Sequence, residues 1–154
     1  MSNQQILDTS MSNRAFLFRR DTVLAVRRSP FNSNWVGKWE LPGGKIEPDS
    51  ALMPGAEILR ELDEETGFDP LMQFLAILFF NDSNQSVDFL SPKTTHMSYF
   101  WQGRVTEGRL KLSEEHDEFK WCSLDQFNQL DLTPRVRVGF TELRDQLEAF
   151  AQAA

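Results

Sequence analysis

The sequence predicts an α/β protein, because strand patterns and amphipathic helix patterns follow one another along the chain. Two apolar runs, residues 71–81 (LMQFLAILFFN) and 95–105 (THMSYFWQGRV), are typical of central strands. Residues 54–66, and a later segment that begins at residue 133, carry apolar side chains at helical spacing. We therefore expect a sheet with helices packed on it.

The N-terminal region has two short strand patterns on either side of Asp21. Residues 14–20 (RAFLFRR) and 22–28 (TVLAVRR) are apolar with basic ends, so we expect them to pair. Residues 1–12 lack such a pattern and are expected to form a flexible tail or a loosely held strand. The length of 154 residues suits one core, hence a single domain.

The C-terminal segment predicts a helix that packs on the sheet. Thr133 and Pro134 suit a helix cap and first turn. Helical spacing then continues through Val136, Phe140, Leu143, Leu147 and Phe150. Between the two central strands, the polar residues 82–94 are expected to form a lid or a specificity loop.

Residues 54–66 predict a helix with an acidic face beside an apolar face. At about 100° per residue, one arc of the helix holds the four glutamates, Glu57, Glu61, Glu64 and Glu65. The adjoining arc holds the apolar residues Ile58, Leu59 and Leu62. Like charges at i,i+4 destabilise a helix. Arg60 can hold Glu64 through a forked hydrogen bond but cannot neutralise four carboxylates. A divalent cation can, although a solvated acidic face is the alternative.

Glycines on both sides of this helix favour the metal hypothesis. Gly43 and Gly44 follow a Leu-Pro pair, where we expect a short strand to end with a backbone that a ligand can approach closely. Gly67 follows the helix, where a left-handed residue closes the last turn. The spacing of these glycines, Arg60 and the glutamates indicates magnesium and phosphate chemistry.

These residues resemble the Nudix box, G-x5-E-x7-R-E-U-x-E-E-x-G-U, of the Nudix hydrolases. The matching positions are Gly44, Arg60, Glu61, Leu62, Glu64, Glu65, Gly67 and, as a bulky apolar residue, Phe68. The interval from Gly44 to Arg60 is two residues longer than in the box, and the first glutamate of the box is absent. A strict count gives Ser50 or Leu52 at that position, and Asp49 is the nearest acid. In the family this glutamate braces the loop and the helix.

The resemblance implies the Nudix fold, an α/β/α sandwich with a mixed central β-sheet. It also implies hydrolysis of a phosphoanhydride bond with Mg²⁺ as the cofactor, for which Mn²⁺ can substitute. Glu61, Glu64, Glu65 and the Gly43 carbonyl would bind the metal, and Arg60 would join Glu61 and Glu64 in the catalytic set.

A further acid is expected from the loop before Trp121. The family often places a catalytic or metal-binding glutamate several residues before such a tryptophan, and Glu115 occupies that position. Glu115 ranks first among the loop acids as general base and metal ligand, and Glu61 is the competing base. The alternative is an ordinary charged loop, in which His116 does not orient Glu115.

Basic and aromatic residues near the glycine pair are candidates for substrate binding. Arg27 and Lys45, with Arg28 beside them, can meet phosphate, or they can be ordinary surface charges. The aromatic candidates for stacking on a base are Trp39, Trp35, Phe80 and Phe100, although aromatic residues also build cores. His96 is expected at the core edge or in contact with a ligand.

The segments GKWELPGGKIE and EHDEFKWCSL are most similar to MutT-type nucleoside triphosphate pyrophosphohydrolases. The resemblance therefore implies conversion of a (d)NTP to a (d)NMP and pyrophosphate. Two alternatives stay open: an ADP-ribose or nucleotide-sugar pyrophosphatase, and a nucleotide-sensing module without catalysis. A degenerate copy is expected to lose a glutamate of the triplet, so the intact triplet favours an enzyme.

Composition restricts the classes of binding partner and the compartment that we expect. The net charge of −7 argues against binding of duplex nucleic acid, but not against nucleotides bridged by a cation. No apolar run reaches the ~18 residues of a membrane span, and the N-terminus lacks a signal-peptide pattern. With Cys122 as the single cysteine, we expect no intramolecular disulfide and a reducing cytoplasm. Homodimers are common in the family, although no residue here marks an interface.

Overall fold

The computed structural model describes residues 9–47, 52–81, 95–106 and 108–153. Its strands and helices, in chain order, are β1 (Thr9–Arg19), β2 (Thr22–Arg28), β3 (Trp39–Glu40), β4 (Gly43–Ile46), α1 (Pro54–Thr66), β5 (Leu71–Asn81), β6 (Thr95–Arg104), β7 (His116–Cys122), α2 (Leu124–Asn128) and α3 (Pro134–Gln152). The predicted α/β class is confirmed.

Strand β1 is the centre of a mixed sheet. It runs parallel to β6 and antiparallel to β2 and β4. Strand β5 continues the sheet as an antiparallel neighbour of β6, while β3 and β7 both pair antiparallel with β2. This pairing joins β4, which carries the glycine pair, directly to the central strand.

Alternation along β1 builds one core on each face of the sheet. Phe16 and Phe18 belong to the cluster that packs under α3, whose members include Phe140 and Leu147. Ala15 and Leu17 point to the opposite face and pack against α1, through Ile58 and Leu62. Helices therefore cover both faces, and the predicted α/β/α sandwich is confirmed.

The predicted bounds of α1, β2 and β5 agree with the structure. Of the two alternatives for the N-terminal residues, the structure has the strand for residues 9–12, because β1 already begins at Thr9 and pairs there with Thr95 of β6. Residues 1–8, like the predicted lid at residues 82–94, lie outside the described residues. Leu59 was expected to be buried but is 36% exposed.

Helix α2 is an element that the sequence analysis missed. Ser123 accepts a hydrogen bond from the Gln126 backbone N–H, and the Gln126 side chain accepts one from the Ser123 N–H. This capping box was visible as a Ser-x-x-Gln spacing before an apolar residue. No helix in the described part of the chain is long and apolar enough to cross a membrane.

Candidate active site

Helix α1 is positioned by its two ends and its apolar face. Pro54 lies in the first turn, and Gly67 follows the helix with a left-handed φ of 77°. The Gly67 N–H donates to the carbonyls of Leu62 and Asp63 at 3.1 and 3.0 Å, which closes the last turn as predicted. Ile58 and Leu62 are fully buried and fix the rotation of the helix about its axis.

Arg60 binds three of the glutamates of α1. Its Nη1 donates to both carboxylate oxygens of Glu64 at 2.9 Å, the fork that the sequence predicts. Its Nη2 donates to Glu57 Oε2 at 2.6 Å and to Glu61 Oε1 at 3.2 Å. The guanidinium contacts only side chains of its own helix in these bonds, so it orients carboxylates and does not line the cavity described below.

The glycine pair forms a surface on which two carboxylates lie. A Cβ at Gly44 would sit 2.6 Å from Glu61 Oε2, and a Cβ at Gly43 would sit 2.0 Å from the Asn13 carbonyl oxygen. Gly43 also has a φ of 141°, which disfavours any other residue. Its N–H donates to Glu65 Oε2 at 3.0 Å. The pair begins β4 and does not end a strand, which corrects the predicted position.

Glu65 is a buried carboxylate beside a second carboxylate. Its Oε2 accepts the Gly43 N–H, whereas its Oε1 is buried without a hydrogen-bond donor. Burial raises the pKa of Glu65 well above 4.5, and hydrogen bonding with the Glu115 carboxyl group raises it further. The Gly43 N–H and the charge of Arg14 oppose this rise. Two acceptors in contact require either a shared proton or a cation.

The loop that carries Glu115 is held by the loop after β2. The Glu115 carbonyl accepts the Ser29 backbone N–H at 3.0 Å and the Asn32 side-chain amide at 2.7 Å. The carbonyl of the preceding Glu114 accepts the Ser29 hydroxyl at 2.5 Å. These bonds fix the backbone from which Glu115 reaches Glu65, so an acid predicted from its distance to Trp121 lies beside the acidic helix.

The donor set fits a divalent metal such as Mg²⁺. Carboxylate oxygens are the hard ligands that Mg²⁺ prefers, and Glu65 Oε1 is an orphaned buried oxygen. Burial raises the pKa of Glu61; Arg60 opposes the rise, and Glu64, Glu115 and Glu57 add to it. Among the described residues, no three acidic, histidine or cysteine side chains converge into a ready-made cation site. The ligand set therefore stays a prediction.

A cavity of about 350 Å³ lies on the α3 side of the sheet. Its lining comes from β1, β4, β6, the segment from β2 to β3 and the start of α3: Ser10, Ser12, Arg14, Arg28, Asn34, Trp35, Glu40, Lys45, His96, Ser98, Thr133, Pro134, Arg135 and Val136. The lining contains three arginines and one lysine against one glutamate, so the cavity suits an anionic ligand.

One wall of the cavity is a chain of hydrogen-bonded polar side chains. His96 Nδ1 lies 2.6 Å from Ser10 Oγ, and His96 Nε2 lies 2.8 Å from Ser12 Oγ. Ser12 Oγ in turn lies 2.9 Å from Ser98 Oγ. A neutral imidazole has one donor and one acceptor nitrogen, so the two serines take opposite roles. This arrangement fixes the His96 ring in the cavity wall, and contact of this residue with a ligand stays a prediction.

The Glu40 carboxylate is buried between three basic side chains. Arg28 Nη1 donates to both of its oxygens at 3.1 Å, and His116 Nε2 lies 2.8 Å from Oε2. Arg14 Nη1 lies 3.6 Å from Oε1. Burial alone would raise the pKa of Glu40, but the charge of Arg14, the hydrogen bond and charge of His116 and the charge of Arg28 lower it to about 2. His116 is thus occupied by Glu40 and does not orient Glu115 through this nitrogen.

Arg14 connects the cavity with the acidic helix. It lines the cavity, and its positive charge also lowers the pKa of Glu65. Its Nη1 donates to the Leu41 carbonyl at 3.1 Å, just before the glycine pair. The two halves of the candidate site therefore meet at Arg14, in the middle of β1.

The predicted substrate-binding residues have different outcomes. Lys45 lines the cavity, and its role there stays a prediction. Arg27 does not line it, because its guanidinium binds Asp117 at 2.9 Å and Glu118 at 2.8 Å. Its neighbour Arg28 faces the cavity instead.

The aromatic candidates also differ in whether they line the cavity. Trp39 is 8% exposed and packs in the core under α3, so it does not line the cavity. Phe100 is fully buried in the same core and cannot stack on a ligand. Trp35 does line the cavity, and it adopts a left-handed φ of 55° that is unusual for an aromatic residue.

Several cavity residues were missed by the sequence analysis. Ser10, Ser12 and Arg14 lie at alternate positions of β1, on the face that continues into Phe16. This period of two was available as a signal, but residues 10 and 12 were expected only in a flexible tail or a loosely held strand. Glu40 has no such signal, because its partners come from distant parts of the chain.

Comparison with known proteins identifies the family. The profile of the NUDIX domain matches residues 11–143. The chain belongs to the Nudix hydrolase family. It is thus a hydrolase of acid anhydrides, and the substrates of the family are nucleoside diphosphate derivatives.

Relatives of this Nudix chain include two named enzymes. The CTP pyrophosphohydrolase of Escherichia coli (strain K12) is 30% identical over 121 residues, which cover 78% of this chain and 81% of that protein. The asymmetrical bis(5'-nucleosyl)-tetraphosphatase of Sus scrofa is 33% identical over 100 residues, or 64% of each chain. The NUDIX domain of Shewanella oneidensis NrtR complexed with ADP ribose has the same fold, with a TM-score of 0.73 at 22% identity over 96% of this chain and 94% of that one.

Glu40 makes the stability of this Nudix protein sensitive to acid. Its pKa of about 2 lies below the ordinary 4.5, so its stabilisation is complete above the unfolded value and is lost as the pH falls towards 2. The shift corresponds to about 3 kcal/mol. We expect denaturant unfolding of the wild type to show this loss between about pH 5 and pH 2. In the Glu40→Gln variant, the free energy of unfolding should not show this loss with falling pH. Near neutral pH the variant should be destabilised by about 3–5 kcal/mol.

The exposed Glu142 of α3 supplies the control for that experiment. Glu142→Gln should follow the wild-type curve within about 0.5 kcal/mol. If the free energy of unfolding depends on pH equally in the wild type and in Glu40→Gln, the lowered pKa of Glu40 is contradicted.

Glu65→Gln should stabilise the metal-free protein. The raised pKa of Glu65 means that ionisation is unfavourable in the fold, and this penalty grows as the pH rises above the ordinary value. A glutamine keeps an acceptor for the Gly43 N–H and offers an N–H to Glu115, so we expect a gain of about 1 kcal/mol near neutral pH. Thermal unfolding in the presence of a chelator measures the change. A thermal unfolding midpoint for Glu65→Gln below that of the wild type would refute the proposed repulsion between Glu65 and Glu115.

Proposed function

We propose that this Nudix hydrolase converts a (d)NTP to a (d)NMP and pyrophosphate with Mg²⁺ as its cofactor, for which Mn²⁺ can substitute. The observation that carries the proposal is the buried carboxylate of Glu65, whose Oε2 accepts the Gly43 N–H while its Oε1 has no hydrogen-bond partner, near a cavity lined by basic residues. The proposed metal ligands are Glu61, Glu64, Glu65, Glu115 and the Gly43 carbonyl.

A bound Mg²⁺ would neutralise charge on the phosphate oxygens and make a bound water more acidic. The protein supplies a base near that water, for which Glu115 and Glu61 are the candidates. Glu61 is a stronger base than an ordinary glutamate, because burial raises its pKa. Glu115 has a backbone fixed by Ser29 and Asn32, which favours accurate placement. Arg60 orients Glu61 and Glu64.

The cavity supports a nucleotide as the substrate. Its volume of about 350 Å³ lies within the range of small-molecule sites. Arg14, Arg28 and Lys45 provide positive charge, and Trp35 offers an aromatic surface for a base. The serine and histidine wall offers donors and acceptors for a base or a sugar.

A nucleoside triphosphate is favoured over other nucleotides by the similarity to the CTP pyrophosphohydrolase, which extends over most of both chains. The second candidate is a dinucleoside polyphosphate, because the relative named bis(5'-nucleosyl)-tetraphosphatase is 33% identical over 100 residues. A sensor without catalysis is disfavoured, since Glu61, Glu64 and Glu65 are all retained.

A substrate panel tests the proposal. The purified protein is incubated with nucleoside triphosphates, ADP-ribose, nucleotide sugars and dinucleoside polyphosphates, with and without Mg²⁺ or Mn²⁺, and the products are separated by chromatography. We expect metal-dependent release of pyrophosphate from a triphosphate. The Glu64→Gln variant should lose activity by a factor of about 100 or more with unchanged circular dichroism.

The matched control is Glu142→Gln, an exposed glutamate on α3, which should keep wild-type turnover. Turnover of dinucleoside polyphosphates alone would replace the proposed substrate by the second candidate. No turnover of any compound would favour the sensor, and full activity of Glu64→Gln would remove Glu64 from the metal site.

Lys45 should contribute to substrate affinity. Its side chain is exposed at the cavity, and no carboxylate among the described residues forms an ion pair with it. We expect Lys45→Gln to raise KM by about 10-fold with a smaller change in kcat, because one charged contact to phosphate is worth about 1–2 kcal/mol. Steady-state kinetics at constant ionic strength measure the split.

Lys111 is the control for this substitution, because its exposed side chain does not line the cavity. Lys111→Gln should leave KM unchanged. A KM for Lys45→Gln equal to that of the wild type would exclude Lys45 from phosphate binding.

A further inference from the structure

The missing first glutamate of the Nudix box leaves the acidic helix without its expected brace. A strict count back from Arg60 gives Leu52, an exposed apolar residue. The other possible position, Ser50, lies outside the described residues. Among the described residues, the contacts of Arg60 show which group can hold it in place so that the helix presents its carboxylates in a fixed orientation.

Glu57 is in the right place to hold Arg60. It lies in the first turn of α1, one turn before Arg60, and its Oε2 is 2.6 Å from Arg60 Nη2. This is shorter than the contacts of Arg60 with Glu64 and Glu61, at 2.9 and 3.2 Å. A short charge-assisted bond of this kind is among the stronger contacts available to a guanidinium.

Glu57 is the most buried of the three partners of Arg60. Its side chain is 5% exposed, whereas those of Glu61 and Glu64 are 14% and 57% exposed. A buried carboxylate depends on its ionic partner, because removal of that partner leaves an uncompensated charge. The hydrogen bond that Arg60 donates to Glu57 is also the largest cause of the raised pKa of Arg60. Glu57 is thus the buried end of the network, and Glu64 is its exposed end.

We propose that Glu57 is a positioning residue that takes the place of the absent box glutamate, by anchoring Arg60 so that Glu61 and Glu64 stay oriented towards a metal ion. Without Glu57, the Nη2 group of Arg60 would turn fully to Glu61 and compete with the cation for that carboxylate. This inference rests on the proposed metal-dependent hydrolysis, because it assigns Glu61 and Glu64 as ligands.

The test measures metal affinity directly. Isothermal titration calorimetry with Mn²⁺ and with Mg²⁺ gives the Kd of the wild type, Glu57→Gln, Arg60→Gln and the double variant. We expect Glu57→Gln to raise the metal Kd by about 10-fold or more, as loss of an outer-shell contact does. Circular dichroism and thermal unfolding of the same samples establish that each variant is folded.

The double variant separates positioning from simple loss of charge. If Glu57 acts through Arg60, adding Glu57→Gln to Arg60→Gln should leave the Kd unchanged. If Glu57 acts only as a distant negative charge, Glu57→Gln should raise the metal Kd by the same factor in the wild type and in Arg60→Gln. That result would overturn the proposal. Glu148→Gln is the matched control, since it removes an i,i+4 ion pair with Arg144 on α3, 2.9 Å long, and should not change the Kd.

The failure of this inference can be told from failure of the proposed function. A wild type that binds the metal and turns over a nucleotide, with a Glu57→Gln variant of equal Kd, would overturn the positioning role alone. A wild type that binds neither Mn²⁺ nor Mg²⁺ would overturn both.

Discussion

The buried carboxylate of Glu40 is the interaction on which the rest of the site depends. Its partners Arg14, Arg28 and His116 come from β1, β2 and β7, so one anion ties together three strands around β3. A charge in a protein interior is unfavourable unless its partners are held in good geometry. The same two arginines form part of the cavity lining. The anion therefore stabilises the fold and also places positive charge where a nucleotide phosphate can meet it.

The acidic helix shows the opposite balance of charge. Glu40 has three basic partners and a pKa lowered to about 2, whereas Glu65 meets another carboxyl group and has a raised pKa. Both carboxylates are buried, so burial alone does not explain the difference. The sign of the neighbouring charge does. A site that is stable without its ligand would resemble the surroundings of Glu40, while an unfavourable cluster of acceptors is typical of a site that binds a cation.

The sequence was informative where local rules decide the structure. The bounds of α1 follow from Pro54 and Gly67, which act within one turn of their own positions. The cavity could not be predicted in this way, since its residues meet only through the pairing of β1 with β4 and β6. Arg27 and Arg28 show the limit most clearly. Successive strand residues point to opposite faces, and the register shifts between these two, so the sequence could not say which would face the cavity.

The position of Arg14 determines how the cavity and the acidic helix act on each other. Its guanidinium lies 3.6 Å from Glu40 Oε1 and also lowers the pKa of Glu65. A phosphate that drew Arg14 towards itself would weaken the hold on both carboxylates. Glu40 would keep Arg28 and His116, but Glu65 would keep only the Gly43 N–H against its repulsion from Glu115. An anionic substrate in the cavity would therefore increase the unbalanced negative charge at the helix, and with it the electrostatic attraction for a divalent cation.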